Sequence, residues 1–404
     1  MIALEALLDF LLFGLSYFVP KKNGRYLFGA DLGTLFKGNP KYVYLYLLDK
    51  DPQIPCWITE NKKVSKELSS RNFPVVYKYS LGGFLEILRS EYLFIDFTPR
   101  DIFYLGETTF GRFNFIQLTH GTPFKKGGQF AIDEGRGRKF KINLFDINKI
   151  ISKIKISLVY KVLLNNYKMV LSTSEETQKS SEYLFQNKNV QIIGMPRNDI
   201  FFNRELIFND LSKDLNLKQY DKVILYAPTY RDDYKSVSPL SDEYQLKLDS
   251  YLRKSNQILY IKKHPLDSAI VLSDDLSNIR IITHKVDDIQ ELLVHADILI
   301  TDYSSVTFDF VMTDRPIIFY PYDYEDYIKN CRGFLYDYFE ELPGPFARNE
   351  DKLMDLIKTV QEWFSEREYQ SKYRSFKNKF NKYHDGKASE RCVNYFIARQ
   401  RGIK

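Results

Sequence analysis

The stretch Leu299–Phe310, which reads LITDYSSVTFDF, is the most informative strand end in the sequence. Its first residues end an apolar run that is typical of a buried strand. Thr301-Asp302 follow the strand, and Ser304-Ser305 then open a segment in which serine is a common helix N-cap. A strand that passes directly into a helix is the repeating unit of α/β proteins, so this stretch predicts that architecture.

Strand-like runs of this kind recur along the chain, separated by segments long enough for helices. They form two series that meet at Gly194–Leu206 (GMPRNDIFFNREL), so the sequence predicts two α/β domains of similar size with parallel sheets. The predicted strands of the first series are Arg25–Gly29, Tyr42–Leu47, Phe73–Tyr77, Tyr92–Asp96, Phe113–Leu118, Met169–Ser172 and Val190–Ile193. Those of the second series are Lys222–Tyr226, Gln257–Ile261, Ile279–Ile282, Asp297–Ile300 and Pro316–Tyr320.

The composition is that of a globular chain. Of the 404 residues, 44% are apolar and 27% are charged, and this length favours two domains over one. The net charge of +6 suits an anionic membrane surface or phosphorylated substrates, and it is too small to indicate nucleic acid as a partner. Cys56, Cys331 and Cys392 form no CxxC pair, which argues against a zinc site or a disulfide framework and fits a reducing cytoplasm.

Residues 1–22, MIALEALLDFLLFGLSYFVPKK, predict an amphipathic helix. Glu5 and Asp9 interrupt the apolar run, so the segment fits neither a secretory signal nor a membrane-spanning helix. We expect it to lie in a membrane interface, with the basic residues that follow it at the lipid headgroups: Lys21, Lys22 and Arg25. The alternative, a helix packed on the protein's own core, stays open.

Residues suited to phosphate chemistry stand at several predicted strand ends. Free N–H groups at the helix start near Ser304-Ser305, with two hydroxyls beside them, predict a phosphate-binding turn, although a plain N-cap role for Ser304 stays open. His120 ends a strand in QLTHGTPFKK, and His264 ends one in IKKHP, each with lysines nearby. In a two-domain α/β protein both strand ends would face the cleft between the domains. One histidine would then serve as a base while the other stabilises phosphate charge.

Six motifs follow one another in the order HGTPFKK, YAPTYRDD, KKHP, TDYSSVTFDF, RPIIFYPYDYEDY and DGKASER. In this order they resemble the CDP-glycerol glycerophosphotransferases of teichoic acid and capsule synthesis, from about Arg25 to Arg391. The chain departs from that pattern at Thr119, where the family often has Trp before the motif histidine. It also lacks the long N-terminal extension of the larger polymerases, so its length resembles the shorter, primase-like members.

The resemblance implies a GT-B-like fold of two Rossmann-like domains whose parallel sheets face an inter-domain cleft. It implies an acceptor-side Rossmann-like domain at 25–200 and a CDP-donor-binding Rossmann-like domain at 201–375. Outside these domains we expect the amphipathic, membrane-associating helix at 1–24 and a C-terminal helix at 376–404 that packs back towards the N-terminal domain. His120 matches the family's catalytic base, and His264 matches a contact of the donor phosphates. The donor-binding positions are Thr229, Arg231, Lys263, Thr301, Asp302, Ser304, Ser305, Asp385, Gly386 and Lys387, and the acceptor-side positions are Gly121, Thr122, Lys125 and Lys126.

We therefore expect an enzyme that transfers glycerol phosphate from CDP-glycerol to a hydroxyl of an undecaprenyl-diphosphate-linked saccharide or a growing polyol-phosphate chain, with release of CMP. It would be peripheral, at the cytoplasmic face of the cell membrane. Lys125-Lys126 and the run Gly135–Lys141 would form a basic rim there, with an ordinary solvated loop as the alternative for that run.

No carboxylate cluster in the sequence has metal-ligand spacing, so we expect no cofactor. A Mg²⁺ ion carried on the donor diphosphate stays compatible with this expectation. The pairs Asp232-Asp233 and Asp287-Asp288 are interpreted as solvated loop charges. The alternative functions are a CDP-ribitol ribitolphosphotransferase and, with less support, a GT-B nucleotide-sugar glycosyltransferase or a non-catalytic membrane scaffold.

Overall fold

The computed structural model describes residues 2–105, 112–127, 167–231, 238–263, 270–331 and 333–400. They divide into two compact units. Unit 1 comprises residues 1–120, 127–199 and 385–404, and unit 2 comprises residues 121–126 and 200–384. The chain thus passes from the first unit to the second within the predicted break at Gly194–Leu206. Domain limits defined by function stay predictions.

Unit 1 is built on a parallel sheet. Its described strands are β1 (Lys22–Phe28), β2 (Pro55–Thr59), β3 (Val75–Tyr77), β4 (Ser90–Ile95), β5 (Phe115–Gln117), β6 (Met169–Ser172) and β7 (Val190–Ile192). They lie in the order β3-β2-β1-β4-β5-β6-β7 and all pair in parallel. The order reverses direction between β1 and β4, and this is the place where open α/β sheets bind ligands.

The helices of unit 1 connect and cover these strands. They are α1 (Ile2–Leu15), α2 (Gly38–Lys50), α3 (Lys62–Ser70), α4 (Leu81–Arg89), α5 (Glu175–Phe185) and, at the end of the chain, α15 (Ala388–Gln400). Although it is the last helix in sequence, α15 packs on α2. The apolar core between sheet and helices includes Leu12, Leu27, Ile58, Ile95 and Phe115.

Unit 2 contains a second parallel sheet. Its strands are β8 (Lys222–Ala227), β9 (Gln257–Ile261), β10 (Ile279–Ile281), β11 (Ile298–Thr301) and β12 (Ile317–Phe319). Their order is β10-β9-β8-β11-β12, with the reversal between β8 and β11. Its helices are α6 (Leu211–Asp214), α7 (Asp242–Lys254), α8 (Ile289–Leu293), α9 (Val306–Phe310), α10 (Tyr324–Asn330), α11 (Tyr338–Glu341), α12 (Glu350–Lys358), α13 (Val360–Ser365) and α14 (Arg367–Phe380).

Two details of the first domain differ from the sequence prediction. The segment Tyr42–Leu47, predicted as a strand, lies inside helix α2, and Pro55–Thr59 is a buried strand that the prediction missed. Helix α2 is buried along most of its length, so its sequence carries no clear polar stripe that would reveal a helical period. Its start does carry a helix signal, because Pro40 stands in the first turn, directly after Gly38-Asn39.

Helix α1 turns its polar side inward. Glu5, Asp9 and Ser16 are buried, and the hydroxyl of Tyr79 donates to Glu5 at 2.8 Å. Two backbone N–H groups of the segment 104–105 donate to the carboxylate of Asp9 at 3.1 and 2.8 Å. The exposed side is apolar and comprises Leu4, Leu7, Phe10, Leu11 and Leu15, with Tyr17 and Phe18 just beyond the helix. None of the described helices is both long and apolar enough to span a bilayer.

The headgroup prediction is wrong for two of the three basic residues that follow α1. Lys21 donates from Nζ to the carbonyl of Leu88 at 2.8 Å, and burial lowers the pKa of its ammonium to about 8. Arg25 pairs with Glu86 on α4. Both side chains therefore bond within unit 1, because acceptors of α4 lie in reach, whereas Lys22 is exposed.

Candidate active site

The turn after β11 in unit 2 contains the motif residues Thr301–Ser305 and lies at the reversal point of the second sheet. The Thr301 hydroxyl donates to the carbonyl of Ala227 at 2.8 Å, and the Thr229 N–H donates to Oδ1 of Asp302 at 2.8 Å. These two bonds tie the end of β11 to the end of β8. Thr301 and Asp302 are both almost fully buried, so their side chains are part of the internal structure of the turn.

Arg231 is the buried cation of this turn. Its guanidinium donates to both oxygens of Asp323 at 2.8 Å and lies 2.9 Å from Oδ2 of Asp302. Burial alone would lower the pKa of Arg231, but attraction by Asp302 and hydrogen bonding to Asp323 outweigh burial and raise that pKa, so the group stays charged. The guanidinium also packs on tyrosine rings, with 5.0 Å to the ring centre of Tyr303. Arg231 thus forms ion pairs with two buried carboxylates.

Ser304 and Ser305 are the partly exposed residues of the same turn, just before α9. Ser304 Oγ accepts from the N–H of Val306 at 3.3 Å, while the Ser305 side chain makes no capping hydrogen bond. The structure therefore brings together six of the predicted CDP-donor-binding residues, from the adjoining ends of β8 and β11: Thr229, Arg231, Thr301, Asp302, Ser304 and Ser305. Their contact with a donor stays a prediction.

Lys263 follows β9, which pairs with β8 in the sheet of unit 2. Its Nζ donates to the carbonyl of Ile270 at 2.7 Å, and its backbone N–H and C=O both bond to the hydroxyl of Thr283. The adjacent His264 lies outside the described residues, as do the pair 232–233 and the basic run 135–141. Asp288, by contrast, is a buried helix cap that accepts from the N–H of Gln290, so the solvated-loop interpretation fits only the exposed Asp287.

The turn after β5 in unit 1 carries His120. The imidazole is exposed, and its ring centre lies 5.2 Å from that of Phe97 in an edge-to-face arrangement. The preceding residue, Thr119, is buried and has a left-handed backbone with φ +54°. A β-branched residue in that region costs about 1–3 kcal/mol, and such a conformation persists only where its surroundings impose it.

Buried side chains impose this conformation through the backbone. Gln117 accepts from the Thr119 N–H at 2.9 Å. Asn39, at the start of α2, donates from Nδ2 to the Leu118 and Thr119 carbonyls at 2.9 and 2.7 Å. Arg197 donates from Nη1 to the His120 carbonyl at 2.6 Å, and its own backbone N–H donates to Oδ1 of Asn39 at 3.0 Å. The sequence prediction missed Asn39, Gln117 and Arg197.

Two buried carboxyl groups lie near the end of β4 in the same unit. Asp101 accepts from the backbone N–H groups of Leu32, Asp96 and Phe97, yet burial raises its pKa to about 6. Burial, and next the repulsion from Asp101, raise the pKa of Asp96 well above its usual range. Because three backbone N–H groups favour the charged form of Asp101, we assign the higher of the two pKa values to Asp96, which binds its proton more tightly than Asp101 does.

The remaining predicted residues belong to the segments 121–126 and 385–387. The segment 121–126 belongs to unit 2, where the buried Phe124 packs on Phe308 and the N–H of Lys126 donates to the Gly333 carbonyl at 2.8 Å. Lys125 pairs with Phe334 in an isolated bridge. The segment 385–387 belongs to unit 1, at the start of α15.

Within the segment 385–387, Asp385 pairs with Arg391 at 2.8 Å. Burial would raise the pKa of Asp385, but hydrogen bonds from Arg391 and Lys387 outweigh it and lower that pKa. Gly386 has a left-handed backbone, with φ +66°, and Lys387 is exposed. Among the described residues, no group of three or more His, Cys, Asp or Glu side chains is placed to hold a metal ion.

Comparison with known proteins agrees with the motifs. Residues 11–398 match the model of the family described as CDP-glycerol:poly(glycerophosphate) glycerophosphotransferase. A teichoic acid glycerol-phosphate transferase of Staphylococcus aureus (strain NCTC 8325 / PS 47) is 30% identical over 386 residues, which cover 94% of each chain. The resemblance stated from the sequence is therefore confirmed.

Longer polymerases are also similar to this chain. A teichoic acid poly(glycerol phosphate) polymerase of Bacillus subtilis (strain 168) is 29% identical over 95% of this chain, which spans half of the polymerase. A teichoic acid ribitol-phosphate polymerase of S. aureus (strain NCTC 8325 / PS 47) is 27% identical over 94% of this chain and 63% of its own length.

Solved structures give the fold. The wall teichoic acid polymerase TagF matches with a TM-score of 0.75 and 24% identity, over 98% of this chain and 93% of that chain. A TagF variant soaked with CDPG matches with the same TM-score at 25% identity, over the same shares of the two chains. The GT-B-like α/β fold predicted from the sequence is thus confirmed. The chain belongs to the CDP-glycerol:poly(glycerophosphate) glycerophosphotransferase family, and it is an enzyme of glycerophosphate transfer in teichoic acid synthesis.

Proposed function

We propose that the enzyme transfers glycerol phosphate from CDP-glycerol to a hydroxyl of an undecaprenyl-diphosphate-linked saccharide or a growing polyol-phosphate chain, and releases CMP. The observation that carries this proposal is the His120 turn, where an exposed imidazole follows a buried and tightly bonded backbone. A general base needs such a fixed position together with access to its substrate.

In the proposed reaction the acceptor hydroxyl oxygen attacks the β-phosphorus of CDP-glycerol. A new P–O bond forms to the acceptor, the P–O bond to the bridging oxygen breaks, and CMP leaves with that electron pair. His120 takes the proton of the attacking hydroxyl. An imidazole has an ordinary pKa near 6.5, so a neutral fraction is available for this step at neutral pH.

The donor diphosphate would be held by unit 2. We assign its contacts to the backbone and hydroxyls of Ser304 and Ser305 and to His264. Arg231 and Asp302 are assigned no direct contact with the donor, since the guanidinium of Arg231 is bonded to both Asp302 and Asp323. These bonds shape the turn that presents the serines. A Mg²⁺ ion bound to the diphosphate would supply further neutralisation without a dedicated protein site.

Ribitol phosphate is a second candidate for the transferred group. The observation that favours it is the similarity to a ribitol-phosphate polymerase, which extends over 94% of this chain. A longer polyol changes the size of the donor pocket and leaves the phosphate chemistry unaltered. The two donors would therefore use the same base and the same reaction.

The test measures the nucleotide that the purified enzyme releases, CMP from CDP-glycerol or CDP-ribitol and UDP from a UDP-sugar, each with and without a synthetic lipid-linked disaccharide. We expect acceptor-dependent CMP from CDP-glycerol, and a product heavier than the acceptor by whole glycerol phosphate units in mass spectrometry. CMP from CDP-ribitol alone would replace the proposed donor. Release of UDP from the UDP-sugar, with no CMP from either CDP-polyol, would overturn the proposal.

We also propose that the enzyme binds the anionic cytoplasmic face of the cell membrane through α1. The support is the distribution of side chains on this helix. Its acidic side chains bond to other parts of unit 1, while its exposed side is apolar. Phe10 is 67% exposed and Phe18 is 84% exposed. Apolar side chains that face outward on one helix form a surface suited to the boundary between headgroups and acyl chains. The exposed Lys22 would meet the headgroups.

Cosedimentation with phosphatidylglycerol vesicles tests this attachment. The double variant Leu7→Ser/Phe10→Ser should bind vesicles at least about 10-fold more weakly, since each inserted apolar side chain contributes on the order of 1.5–3 kcal/mol. The matched control is Leu246→Ser/Val271→Ser, because Leu7 and Leu246 are both 52% exposed, and Phe10 and Val271 are 67% and 68% exposed. Equal binding by both double variants would contradict a role for α1.

A further inference from the structure

Three successive backbone carbonyls around His120 each accept a hydrogen bond from a buried side chain of another segment. Asn39 bonds the carbonyls of Leu118 and Thr119, and Arg197 bonds the carbonyl of His120. Asn39 is fully buried, and Arg197 is 8% exposed. Neither side chain is adjacent to His120 in sequence, so the fold itself brings both of them to this turn.

The side chain of Asn39 is also bonded to the backbone of Arg197. The N–H of Arg197 donates to Oδ1 of Asn39, so a single amide side chain connects the β7 loop, the start of α2 and the turn after β5. Gly38 allows this close approach, since it has φ +72° and a Cβ there would lie 2.1 Å from Oδ2 of Asp96. The start of α2 is thus fitted closely against the strand ends.

We propose that Asn39 and Arg197 are positioning residues that set the direction of the His120 imidazole by holding its backbone in the left-handed turn. This inference rests on the proposed function of His120 as the base. The bonds end on the carbonyls of residues 118, 119 and 120, so they fix the peptide units on both sides of Thr119 and the backbone from which the imidazole projects. An unsupported Thr119 would return to an ordinary backbone conformation and redirect the histidine.

The variant Asn39→Asp separates positioning from packing. It keeps the size of the side chain and the acceptor for the Arg197 N–H, but it replaces the donor that faces two carbonyls by an oxygen. We expect kcat to fall about 100-fold, the usual scale for a catalytic group displaced by about 1 Å, while KM for CDP-glycerol stays within about 3-fold.

The matched control is Asn187→Asp. Asn187 is also buried in unit 1, donates to the Tyr167 carbonyl at 2.8 Å and accepts from the N–H of Asn189 at 2.8 Å. It lies before β7, at the opposite end of the sheet from His120. The same chemical change there should lower the melting temperature and leave kcat of the folded enzyme unchanged.

A double-mutant cycle with His120→Ala tests whether Asn39 acts through His120. If Asn39 acts through His120, Asn39→Asp lowers the single-turnover rate of the wild type but not the residual rate of His120→Ala. An equal fold-loss in both backgrounds would overturn the positioning role and leave the proposed base intact. Full activity of His120→Ala would overturn the proposed base, and the positioning role with it.

Arg197→Gln provides a second variant in case Asn39→Asp does not fold. It keeps the backbone N–H that bonds Asn39 and removes only the guanidinium that donates to the His120 carbonyl. We expect a loss of kcat of about 10-fold, again without effect in the His120→Ala background. A loss of equal size in that background would count against the proposal.

Discussion

The turn at His120 in unit 1 and the turn at Asp302 in unit 2 both follow parallel strands, but polar groups are arranged in them in opposite ways. At His120 the side chain is exposed and the backbone around it is bonded by buried amide and guanidinium groups. At Asp302 the charged side chains are buried and bonded to one another, and the serines that follow are partly exposed.

We infer from this difference that the charged residues of the two motifs have different tasks. Arg231 and Asp302 are bonded to each other in the interior, which suits a structural role in the turn. His120 is exposed, which suits the proposed role as a base. Burial and partners, which the motif alone does not show, separate the two kinds of residue.

The strongest test of the scaffold role is Arg231→Met. It leaves two buried carboxylates without their cation, so we expect the free energy of unfolding to fall by about 3–5 kcal/mol in urea titrations. The control Arg280→Met removes an exposed guanidinium from the same unit and should change that free energy by less than about 0.5 kcal/mol. A similar small effect of both variants would remove the distinction between the two turns.

The buried carboxylates at the Asp302 turn are paired with the cation Arg231. Unit 1 contains a buried acid of a different kind, Asp96, whose pKa is raised by burial and by Asp101. The stability of the protein should therefore depend on pH through this group. The folded state then binds this proton more tightly than the unfolded state, whose carboxyl has a pKa near 3.8. Stability is therefore lost as the pH rises above that value.

Asp96→Asn removes this pH-dependent loss of stability. We expect the variant to gain on the order of 1 kcal/mol over the wild type at pH 8 and to lose that advantage towards pH 4, in thermal unfolding at several pH values. Asp49→Asn, at an exposed position, is the control without a pH-dependent gain. An advantage of Asp96→Asn that grows on acidification would contradict the assignment of the higher pKa to Asp96.

The smallest effect on stability is expected for Ser305→Ala. Its hydroxyl makes no capping bond, so the free energy of unfolding should change by less than about 0.5 kcal/mol. Ser241 does cap α7, since its Oγ accepts from the Tyr244 N–H, and Ser241→Ala should cost about 1 kcal/mol. A rise in KM for CDP-glycerol in Ser305→Ala alone would then report a contact with the donor, and an unchanged KM would remove Ser305 from the donor site.

Much of the fold follows from local sequence signals. Buried parallel strands are short apolar runs, and most of them, such as Met169–Ser172 and Gln257–Ile261, are read directly from the sequence. Tyr42–Leu47 misleads because a helix buried on most sides has the same apolar density as a strand. The Gly-Asn-Pro start of α2 is the signal that distinguishes the two.

The site is less predictable, since the side chains that bond the backbone around His120 come from distant parts of the chain. His120 is marked by its place at a strand end, but Asn39 and Arg197 are separated from it by about 80 residues in each direction. No local pattern records such contacts. The inward orientation of the polar face of α1 is also not predictable from the sequence. Glu5 and Asp9 are residue types that usually face solvent, and only the structure shows that they are buried and hydrogen-bonded.

The role of His120 is tested most directly by the rate of acceptor-dependent CMP release by His120→Ala, measured beside the affinity of the same variant for CDP-glycerol. Loss of the base should lower kcat about 1000-fold, within the usual range for a general base, with unchanged donor affinity and melting temperature. A variant that keeps more than a tenth of the wild-type rate would contradict the assignment of His120 as the base.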